Sequence, residues 1–479
     1  MNYMDLHRIF DLQYQASRAQ VDAPLLVRRE RLLRLQKMLD ENGPALCVAV
    51  EQDFGVRSER WTEMLDLMLV RNMLKHTLKH LPKWSKRQRV RTPLMLQPGK
   101  AWIERQPLGV VGIISPWNYP VQLSLAPAIT ALAAGNRVML KPSELTPNTS
   151  AKMAELVAQF FAPEEFSVIQ GDVGVATQFS GLQFDHLLFT GSTAVGRRVA
   201  QAAAVHLTPT TLELGGKSPC IIAQDCDLQA VALKVAYGKL VNAGQTCIAP
   251  DYVLLPRGQE QAFAEAYKAA VQQLYPRISG NPDYTAIISK RHLARLKQML
   301  RQAQSLGAQV HWMHEAAAPA VDGDATMWGE AVERQFAPAL VFGATGEMQL
   351  MQEEIFGPIL PVISYERIED VINAINASPR PLALYWFGND EAERDAVLLR
   401  TVSGGVCVND TLLHVAHDNL PFGGVGESGW GAYHSEQGFL RFVHQKAVFV
   451  QSRWAATSML YPPFGENFDR MMRFMRRWL

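Results

Sequence analysis

Two residues with complementary reactivity, Glu213 and Cys247, lie in short glycine-containing sequence motifs. Glu213 begins Glu-Leu-Gly-Gly-Lys, and Cys247 ends Gly-Gln-Thr-Cys. A thiol can form a covalent bond to an electrophilic carbon, and a carboxylate can activate the water that breaks this bond. Taken singly, the cysteine is more often a buried inert thiol and the glutamate a surface or capping carboxylate. The pair is a hypothesis of covalent catalysis that needs support from other residues.

An amide donor, Asn118, follows the apolar run 110–114. Such a run is typical of a strand that is buried on both faces, and Asn118 would lie at the carboxyl end of its sheet. There its side-chain amide could stabilise a developing oxyanion. On local sequence alone, a turn asparagine that bonds its own backbone is the favoured interpretation.

A strand, a glycine turn and the start of a helix follow one another around Gly191, Ser192 and Gly196. Glycines allow the backbone to approach phosphate, and the first N–H groups of a helix favour an anion. The phrase is neither the Rossmann fingerprint nor a Walker loop, and a plain packing turn is about as plausible. Lys141 and Glu144, which follow another short strand, could hold ribose hydroxyls, although solvated loop charges are commoner.

These residues need a scaffold, and the sequence alternates strand and helix patterns around them. Strands are predicted at 110–114, 137–140, 166–169, 186–189 and 211–214, with helices at 120–134, 148–161 and 193–204. This alternation predicts a parallel sheet covered on both faces. A second α/β pattern runs from 228 to 387, interrupted by an Ala/Pro/Gly-rich loop at 316–324. An earlier helix is predicted at 28–40, ended by Asn42-Gly43-Pro44.

Length and composition limit the possible classes of protein. The chain has 479 residues, of which 48% are hydrophobic, so two major domains are expected. Lys plus Arg number 47 and Asp plus Glu 46, a balance that disfavours nucleic-acid binding. Five scattered cysteines suit neither a disulfide framework nor a zinc site. With no signal-peptide pattern and no long apolar run, a cytoplasmic protein without a transmembrane span is expected.

Two further features have open interpretations. His414 and His417 could share a helix face as metal ligands, but no acidic or cysteine partner has suitable spacing, so no metal is expected. The tail 468–479 interleaves arginines with Met, Phe and Trp. It could lie on an anionic membrane surface, but packing against the protein or a second subunit is favoured.

The motifs taken together resemble the aldehyde dehydrogenase family across nearly the whole chain. In order they are Pro116-Trp117-Asn118, Lys141-Pro142-Ser143-Glu144, Phe189-Thr190-Gly191-Ser192, Glu213-Leu214-Gly215-Gly216-Lys217, Gly244-Gln245-Thr246-Cys247, Glu354-Ile355-Phe356-Gly357-Pro358 and Pro421-Phe422-Gly423-Gly424. The stretches 117–120 and 247–252 look like the class 3 branch. The stretches 409–417, 426–434 and 461–463 look most like bacterial coniferyl aldehyde dehydrogenases.

The resemblance implies an α/β architecture with three parts. A Rossmann-type cofactor-binding domain would comprise 1–90 and 108–213, and an α/β catalytic domain 214–420. A small β extension that pairs subunits would comprise 91–107 and 432–460, followed by a C-terminal tail at 461–479. Class 3 relatives are commonly homodimers, so a homodimer is expected.

The resemblance also implies roles for individual residues. Cys247 would attack the aldehyde carbon, Asn118 would stabilise the oxyanion, and Glu213 would activate the water that releases the acid. Some local activation of the Cys247 thiol is expected, because a free thiol has a pKa of about 8.5. The expected cofactor contacts are Trp117, Lys141, Glu144, Gly191, Ser192, Gly196, Glu354 and Phe356. Glu144 favours NAD, while NADP stays possible.

The implied reaction is NAD(P)-dependent oxidation of an aldehyde, with an aromatic aldehyde of the coniferyl type as the leading substrate. Medium-chain aliphatic aldehydes are the alternative. The expected substrate tunnel comprises Tyr119, Leu123, Thr246, Ile248 and His414. A coenzyme-A-acylating dehydrogenase has less need of Glu213, and a non-catalytic binding protein has no need of the intact set of Cys247, Glu213 and Asn118. Both rivals are therefore disfavoured.

Overall fold

The computed structural model describes residues 3–314 and 332–478. The predicted loop 316–324 lies outside the described residues. The α-helices are α1 (Tyr3–Ala19), α2 (Leu25–Phe54), α3 (Glu59–Thr62), α4 (Met68–Trp84), α5 (Gln122–Ala133), α6 (Pro147–Phe160), α7 (Val173–Ser180), α8 (Thr193–Ala204), α9 (Leu228–Leu240), α10 (Glu260–Leu274), α11 (Lys290–Ser305), α12 (Gln349–Gln352), α13 (Ile368–Ala377), α14 (Glu391–Arg400), α15 (Ser435–Arg441) and α16 (Glu466–Trp478). One π-helical turn, Glu63–Leu67, joins α3 to α4.

The strands form three separate sheets. They are β1 (Gln88–Val90), β2 (Lys100–Pro107), β3 (Val110–Ile114), β4 (Arg137–Lys141), β5 (Phe166–Val168), β6 (His186–Thr190), β7 (Thr210–Glu213), β8 (Pro219–Ile222), β9 (Tyr252–Pro256), β10 (Gln309–Trp312), β11 (Ala339–Phe342), β12 (Ile359–Tyr365), β13 (Ala383–Phe387), β14 (Gly405–Val408), β15 (Gly429–Trp430) and β16 (Val443–Val450). The short apolar strands β3, β4 and β6 are buried throughout, as expected for a sheet with helices on both faces.

The first large sheet has six strands in the order β15-β7-β6-β3-β4-β5. All its pairs are parallel except the short antiparallel edge strand β15 against β7. The strand order reverses direction between β3 and β6: β4 and β5 extend the sheet on one side of β3, and β6 and β7 extend it on the other. Open α/β sheets bind ligands beyond the carboxyl ends of their strands at such a switch point.

The second large sheet has seven strands in the order β10-β11-β12-β9-β8-β13-β14, parallel except for β10. A third sheet has the order β1-β2-β16 and is antiparallel. The predicted α/β class, with two parallel sheets and a small β extension, is confirmed. The exact domain boundaries stay a prediction.

The predicted end of the early helix at Pro44 is wrong, because α2 continues through it to Phe54. A proline in a helix interior costs about 3 kcal/mol. The helix beyond it buries Leu46, Cys47, Val50 and Phe54, and each such side chain contributes about 1.5–3 kcal/mol. The burial therefore outweighs the lost hydrogen bond. No helix within the described ranges is long and apolar enough to cross a membrane.

Candidate active site

The carboxyl ends of β3, β4, β6 and β7 meet at one edge of the six-stranded sheet, because these strands are parallel neighbours. Each strand is followed there by one of the predicted motifs. Asn118 follows β3, Lys141 ends β4, Gly191 follows β6, and Glu213 ends β7. The tertiary structure therefore brings together side chains that are widely separated in the sequence.

The loop that carries Cys247 has an unusual backbone. After α9, Asn242, Ala243 and Gly244 have φ values of 53°, 54° and 76°. Left-handed φ is rare for residues other than glycine. At Gly244 a Cβ would also lie 2.4 Å from the carbonyl oxygen of Gly357. Only glycine fits there, and the turn delivers Cys247 to the sheet edge with its side chain half-buried.

Asn118 is buried and bonded to the cysteine loop at two points. Its Nδ2 donates to the carbonyl of Gln245 at 3.1 Å, and its own carbonyl accepts from Nδ2 of Asn242 at 3.0 Å. The next residue continues the contact, since the hydroxyls of Tyr119 and Thr246 lie 2.6 Å apart. The amide of Asn118 is thus fixed relative to the residues immediately before Cys247.

Glu213 is 2% exposed, and neither of its carboxyl oxygens has a hydrogen-bond partner in the described structure. Burial raises the pKa of this carboxyl well above its usual range, with a smaller opposing effect from Arg441. An unpartnered buried carboxyl group is costly when charged. Burial therefore favours the neutral form of this carboxyl group, and its two oxygen atoms are free to bond a water molecule.

The expected activation of the Cys247 thiol is contradicted. Burial, followed by the charges of Glu354 and Glu213, raises the pKa of Cys247 to about 12, although the backbone N–H groups of Cys247 and Ile248 act in the opposite direction. A carboxylate near a thiol disfavours a further negative charge on the sulfur. Both glutamates thus act electrostatically on the thiol of Cys247.

The segment that carries Glu354 is connected to the Glu213 and Cys247 motifs by an ion pair that was not predicted from the sequence. The ammonium of Lys217 pairs with Asp251 and also donates to the carbonyls of Leu350 and Glu353. Asp251 accepts from the backbone N–H of Ile355 at 2.9 Å. Lys217 and Asp251 therefore connect three segments: the motif that contains Glu213, the loop that contains Cys247, and the segment that carries Glu354.

Glu354 packs directly on Gly215, where a Cβ would lie 2.1 Å from its Oε2 atom. Burial and then the charge of Asp251 raise the pKa of Glu354 to about 8. Phe356, with a φ of 51°, places its ring edge-on to Trp117 at 5.5 Å. Trp117 and Phe356 are thus in ring contact, and Glu354 lies two residues before Phe356. The role of these three residues in cofactor binding stays a prediction.

The residues at the sheet edge fit a dinucleotide. Lys141 is buried with its ammonium donating to the carbonyl of Pro142 at 2.7 Å, which leaves further donors for ribose hydroxyls. Burial lowers its pKa. Glu144 is exposed on the following turn. Ser192 caps α8, whose N-terminus favours an anion, and Gly196 lets this helix approach Leu214.

The predicted tunnel residues are less uniformly placed. Tyr119, Leu123, Thr246 and Ile248 are buried around the cysteine loop. His414 lies further out, with its ring 6.1 Å from that of Tyr385, whose hydroxyl donates to the carbonyl of Ile248. Neither ring nitrogen of His414 has a partner in the described structure, and burial lowers its pKa to about 4.

Several residues of this site were missed from sequence. Lys217 lies in the same motif as Glu213, and Asp251 lies in the stretch 247–252 that begins with Cys247. Their places in the sequence could therefore have identified them. Three other residues carried no such signal. Arg57 donates to the carbonyl of Asn118, as Asn242 does, and Asp66 pairs with Arg57 and accepts from the backbone N–H of Val121, so each acts through a contact between distant segments. Their positions are known only from the tertiary structure.

Comparison with known proteins gives consistent matches. Residues 2–448 match the family described as "Aldehyde dehydrogenase family". The chain is 46% identical to the Pseudomonas aeruginosa protein named "Probable coniferyl aldehyde dehydrogenase", covering 98% of this chain and 95% of that relative. It is 37% identical to the Mus musculus protein "Aldehyde dehydrogenase family 3 member A2", covering 95% and 90%. A substrate-bound structure of Staphylococcus aureus AldH superposes with a TM-score of 0.91 at 34% identity, covering 99% and 100%.

Proposed function

Because the chain belongs to the aldehyde dehydrogenase family of oxidoreductases, we propose that Cys247, Glu213 and Asn118 carry out the oxidation of an aldehyde to a carboxylic acid. The observation that carries this assignment is the convergence of Glu213 and Cys247. Their electrostatic coupling appears in the raised pKa of the thiol, and Asn118 is bonded to the same loop. The positions of these three residues at one edge of the six-stranded sheet support the roles of nucleophile, base and oxyanion donor that we propose for them.

In the first half-reaction, the thiol of Cys247 loses its proton to solvent, and the resulting thiolate forms a bond to the carbonyl carbon of the aldehyde. The negative charge moves to the carbonyl oxygen, where the Nδ2 of Asn118 and the backbone N–H of Cys247 are the proposed donors. A nicotinamide dinucleotide, when bound, would accept the hydride that leaves this carbon as the oxyanion electron pair returns, and Cys247 would then carry an acyl thioester.

In the second half-reaction, Glu213 removes a proton from water while the water oxygen attacks the thioester carbon. The carbon–sulfur bond then breaks, and the acid and the thiolate are released. The two unpartnered oxygens of Glu213 support this role, since they can accept from water. Because a general base must be ionised, deacylation should accelerate as pH rises through the raised pKa of Glu213.

The proposed cofactor is NAD, with NADP as the alternative. Lys141 and Glu144 would hold the adenosine ribose, Ser192 at the start of α8 the pyrophosphate, and Glu354 and Phe356 the nicotinamide riboside. The carboxylate of Glu144 disfavours a 2′-phosphate by charge repulsion. Members of this family use a nicotinamide dinucleotide, so the proposal concerns the preference between the two and the residues that set it.

The proposed substrate is an aromatic aldehyde of the coniferyl type. Support comes from the relative of that name and from the aromatic side chains of Tyr119 and Tyr385, which bond the residues on either side of Cys247. Medium-chain aliphatic aldehydes are the second candidate, favoured by the apolar positions Leu123 and Ile248. Rates with coniferyl aldehyde, benzaldehyde and a series of straight-chain aldehydes, each with NAD and NADP, would rank the two.

The matched test of the nucleophile uses two cysteines. Cys247→Ala should abolish the aldehyde-dependent absorbance of reduced nicotinamide, while Cys226→Ala, at another half-buried free cysteine, should retain it. Glu213→Gln should keep the first-turnover burst and lose steady turnover. Absence of any aldehyde-dependent signal in the unaltered protein would contradict the enzymatic assignment to this site. Loss of the burst in Glu213→Gln would place Glu213 in the first half-reaction.

We also propose a cytoplasmic homodimer. The strand β16 lies at the edge of the three-stranded sheet with most of its residues exposed. An exposed strand edge is a template for pairing with another chain. The basic amphipathic helix α16 is proposed to pack against the body of the protein or a second subunit.

A further inference from the structure

A buried ion pair outside the predicted catalytic set, between Arg57 and Asp66, contacts the oxyanion donor. The guanidinium Nη2 of Arg57 lies 2.6 Å from Oδ2 of Asp66, and the side chains are 1% and 0% exposed. The other terminal nitrogen, Nη1, donates to the carbonyl of Asn118 at 2.6 Å. It also lies 3.4 Å from Oδ1 of Asn242. One guanidinium therefore connects a buried carboxylate to both sides of the candidate site.

Asp66 is held as firmly as Arg57. Its Oδ1 accepts from the backbone N–H groups of Val121 and Gln122, at 3.1 and 2.9 Å, at the first turn of α5. A carboxylate at a helix N-terminus satisfies N–H groups that lack an intrahelical partner. Asp66 itself lies in the π-helical turn Glu63–Leu67. Such turns are rare and occur frequently at functional sites.

Two aromatic rings also pack against the guanidinium group of Arg57. Its guanidinium carbon lies 4.7 Å from the ring centre of Phe54 and 5.2 Å from that of Tyr119. Tyr119 in turn bonds Thr246, the residue before the candidate nucleophile. The planar fork of an arginine can hold a carboxylate and a carbonyl at once while stacking on a ring, which a lysine cannot do.

From these contacts we propose that Arg57, held by Asp66, is a positioning residue that sets the Asn118 amide against the Cys247 loop. This inference rests on the proposed roles of Asn118 and Cys247. Asn118 has its carbonyl fixed by Arg57 and Asn242 and its Nδ2 directed at the loop. Oxyanion stabilisation needs a donor within a few tenths of an ångström of its ideal place. A displacement of about 1 Å can cost about a hundredfold in rate.

The test measures the rate constant of the first-turnover burst of reduced nicotinamide. Arg57→Ala should lower it by about a hundredfold, and guanidinium ion at millimolar concentration should restore part of the loss. Arg57→Lys should be slow as well, because one ammonium cannot replace the fork. The dissociation constant of NAD should stay unchanged in all these variants, since none of the contacts described for the Arg57 side chain is to a proposed cofactor residue.

Arg31→Ala is the matched control. Arg31 is another buried arginine, bonded to Glu165 at 3.0 Å between α2 and the residue before β5. Its loss should lower the melting temperature as Arg57→Ala does, yet leave the burst rate unchanged. Equal burst rates for the Arg31→Ala and Arg57→Ala proteins would overturn the positioning role. So would a full burst rate in Arg57→Lys.

Two further outcomes separate this inference from the proposed function. If Arg57→Ala cannot be recovered folded, Arg57→Lys and Asp66→Asn decide, with a slowed burst and unchanged NAD affinity expected for both. If the unaltered protein shows no aldehyde-dependent burst, the proposed function fails before Arg57 is tested. An active unaltered protein with unaffected Arg57 and Asp66 variants refutes the positioning role alone.

Discussion

Among single residues, the two glutamates beside Cys247 affect the thiol in the same direction but to different extents. Burial is the main cause of its raised pKa, Glu354 the next, and Glu213 the third. The reactive species is the thiolate. With its pKa raised to about 12, the thiol of Cys247 is mostly protonated at neutral pH. Replacing either glutamate with a neutral residue should therefore lower the pKa of the Cys247 thiol.

We expect Glu354→Gln to increase the rate of Cys247 alkylation by iodoacetamide several-fold at about pH 8, because the pKa of the thiol falls towards its free value. Glu213→Gln should act in the same direction but less strongly. Below the thiol pKa, each rate should rise about tenfold per pH unit. The exposed neighbour Glu353→Gln is the control and should leave the rate unchanged. Slower alkylation in Glu354→Gln would contradict this electrostatic account.

Glu213 should also make stability depend on pH. Its folded-state pKa is raised, so its stabilising contribution is present below the unfolded pKa of about 4.3 and is lost as pH rises through the folded value. Glu213→Gln removes the ionisable group, so the variant does not lose this stability as pH rises. The melting temperature of that variant should therefore exceed that of the unaltered protein by a margin that grows with pH.

Thermal unfolding at several pH values checks this, with Glu155→Gln as control. Glu155 is exposed, and its bond to Lys152 lowers its pKa, which is the opposite direction. A Glu155→Gln protein should show no growing margin. If the difference in melting temperature between Glu213→Gln and the unaltered protein stays constant as pH rises above about 4.3, the carboxyl group of Glu213 does not titrate as described.

Among structural elements, the contact of Glu354 with Gly215 joins two segments that the sequence separates widely. A Cβ at Gly215 would lie 2.1 Å from Oε2 of Glu354, so Gly215→Ala should displace that carboxyl. If Glu354 holds the nicotinamide ribose, losing one such hydrogen bond should raise the KM for NAD about tenfold. Steady-state kinetics at saturating aldehyde measure this.

Gly346→Ala is the control for that substitution, because a Cβ there meets nothing within 4 Å. It should leave the KM for NAD and the melting temperature unchanged. An unchanged KM in Gly215→Ala would mean that Glu354 does not bind the cofactor, or that it moves without loss of contact. A crystal structure of the variant would distinguish these two explanations.

Element prediction from sequence succeeded where burial pattern alone determines structure. Strands such as β3 and β4 are continuous apolar runs that sit buried on both faces, and their predicted bounds agree closely with the structure. It failed at Pro44, because the local helix-breaking preference of proline was outweighed by the buried face beyond it. It also left out α7 and the π-helical turn that carries Asp66, since neither has a distinctive periodicity.

At the scale of the whole molecule, the exposed edge strand β16 bears on assembly. Its last residues, Phe449 and Val450, are 44% and 48% exposed. Successive residues of a strand point to opposite faces, so the double variant Phe449→Lys/Val450→Lys places a charge on each face. If β16 pairs subunits, this variant should behave in light scattering as one chain of 53.4 kDa, and the unaltered protein as a dimer.

Leu399→Lys provides the comparison, because this leucine is 85% exposed on α14, outside the three-stranded sheet. It should leave the measured mass at that of the unaltered protein. A double variant that remains dimeric would exclude the end of β16 as the pairing surface. A monomeric unaltered protein would refute the homodimer itself.

The sequence by itself determined the family, the α/β class and the identity of Cys247, Glu213 and Asn118 as candidates, because motif order and hydrophobic period are properties of the chain. Tertiary structure alone decided the raised pKa of Cys247, the unpartnered carboxyl of Glu213, and the contact of Arg57 with Asn118. Each of these depends on the distance between segments and on exclusion of water. Electrostatic energy varies with both quantities, and neither is encoded in the local pattern of residues.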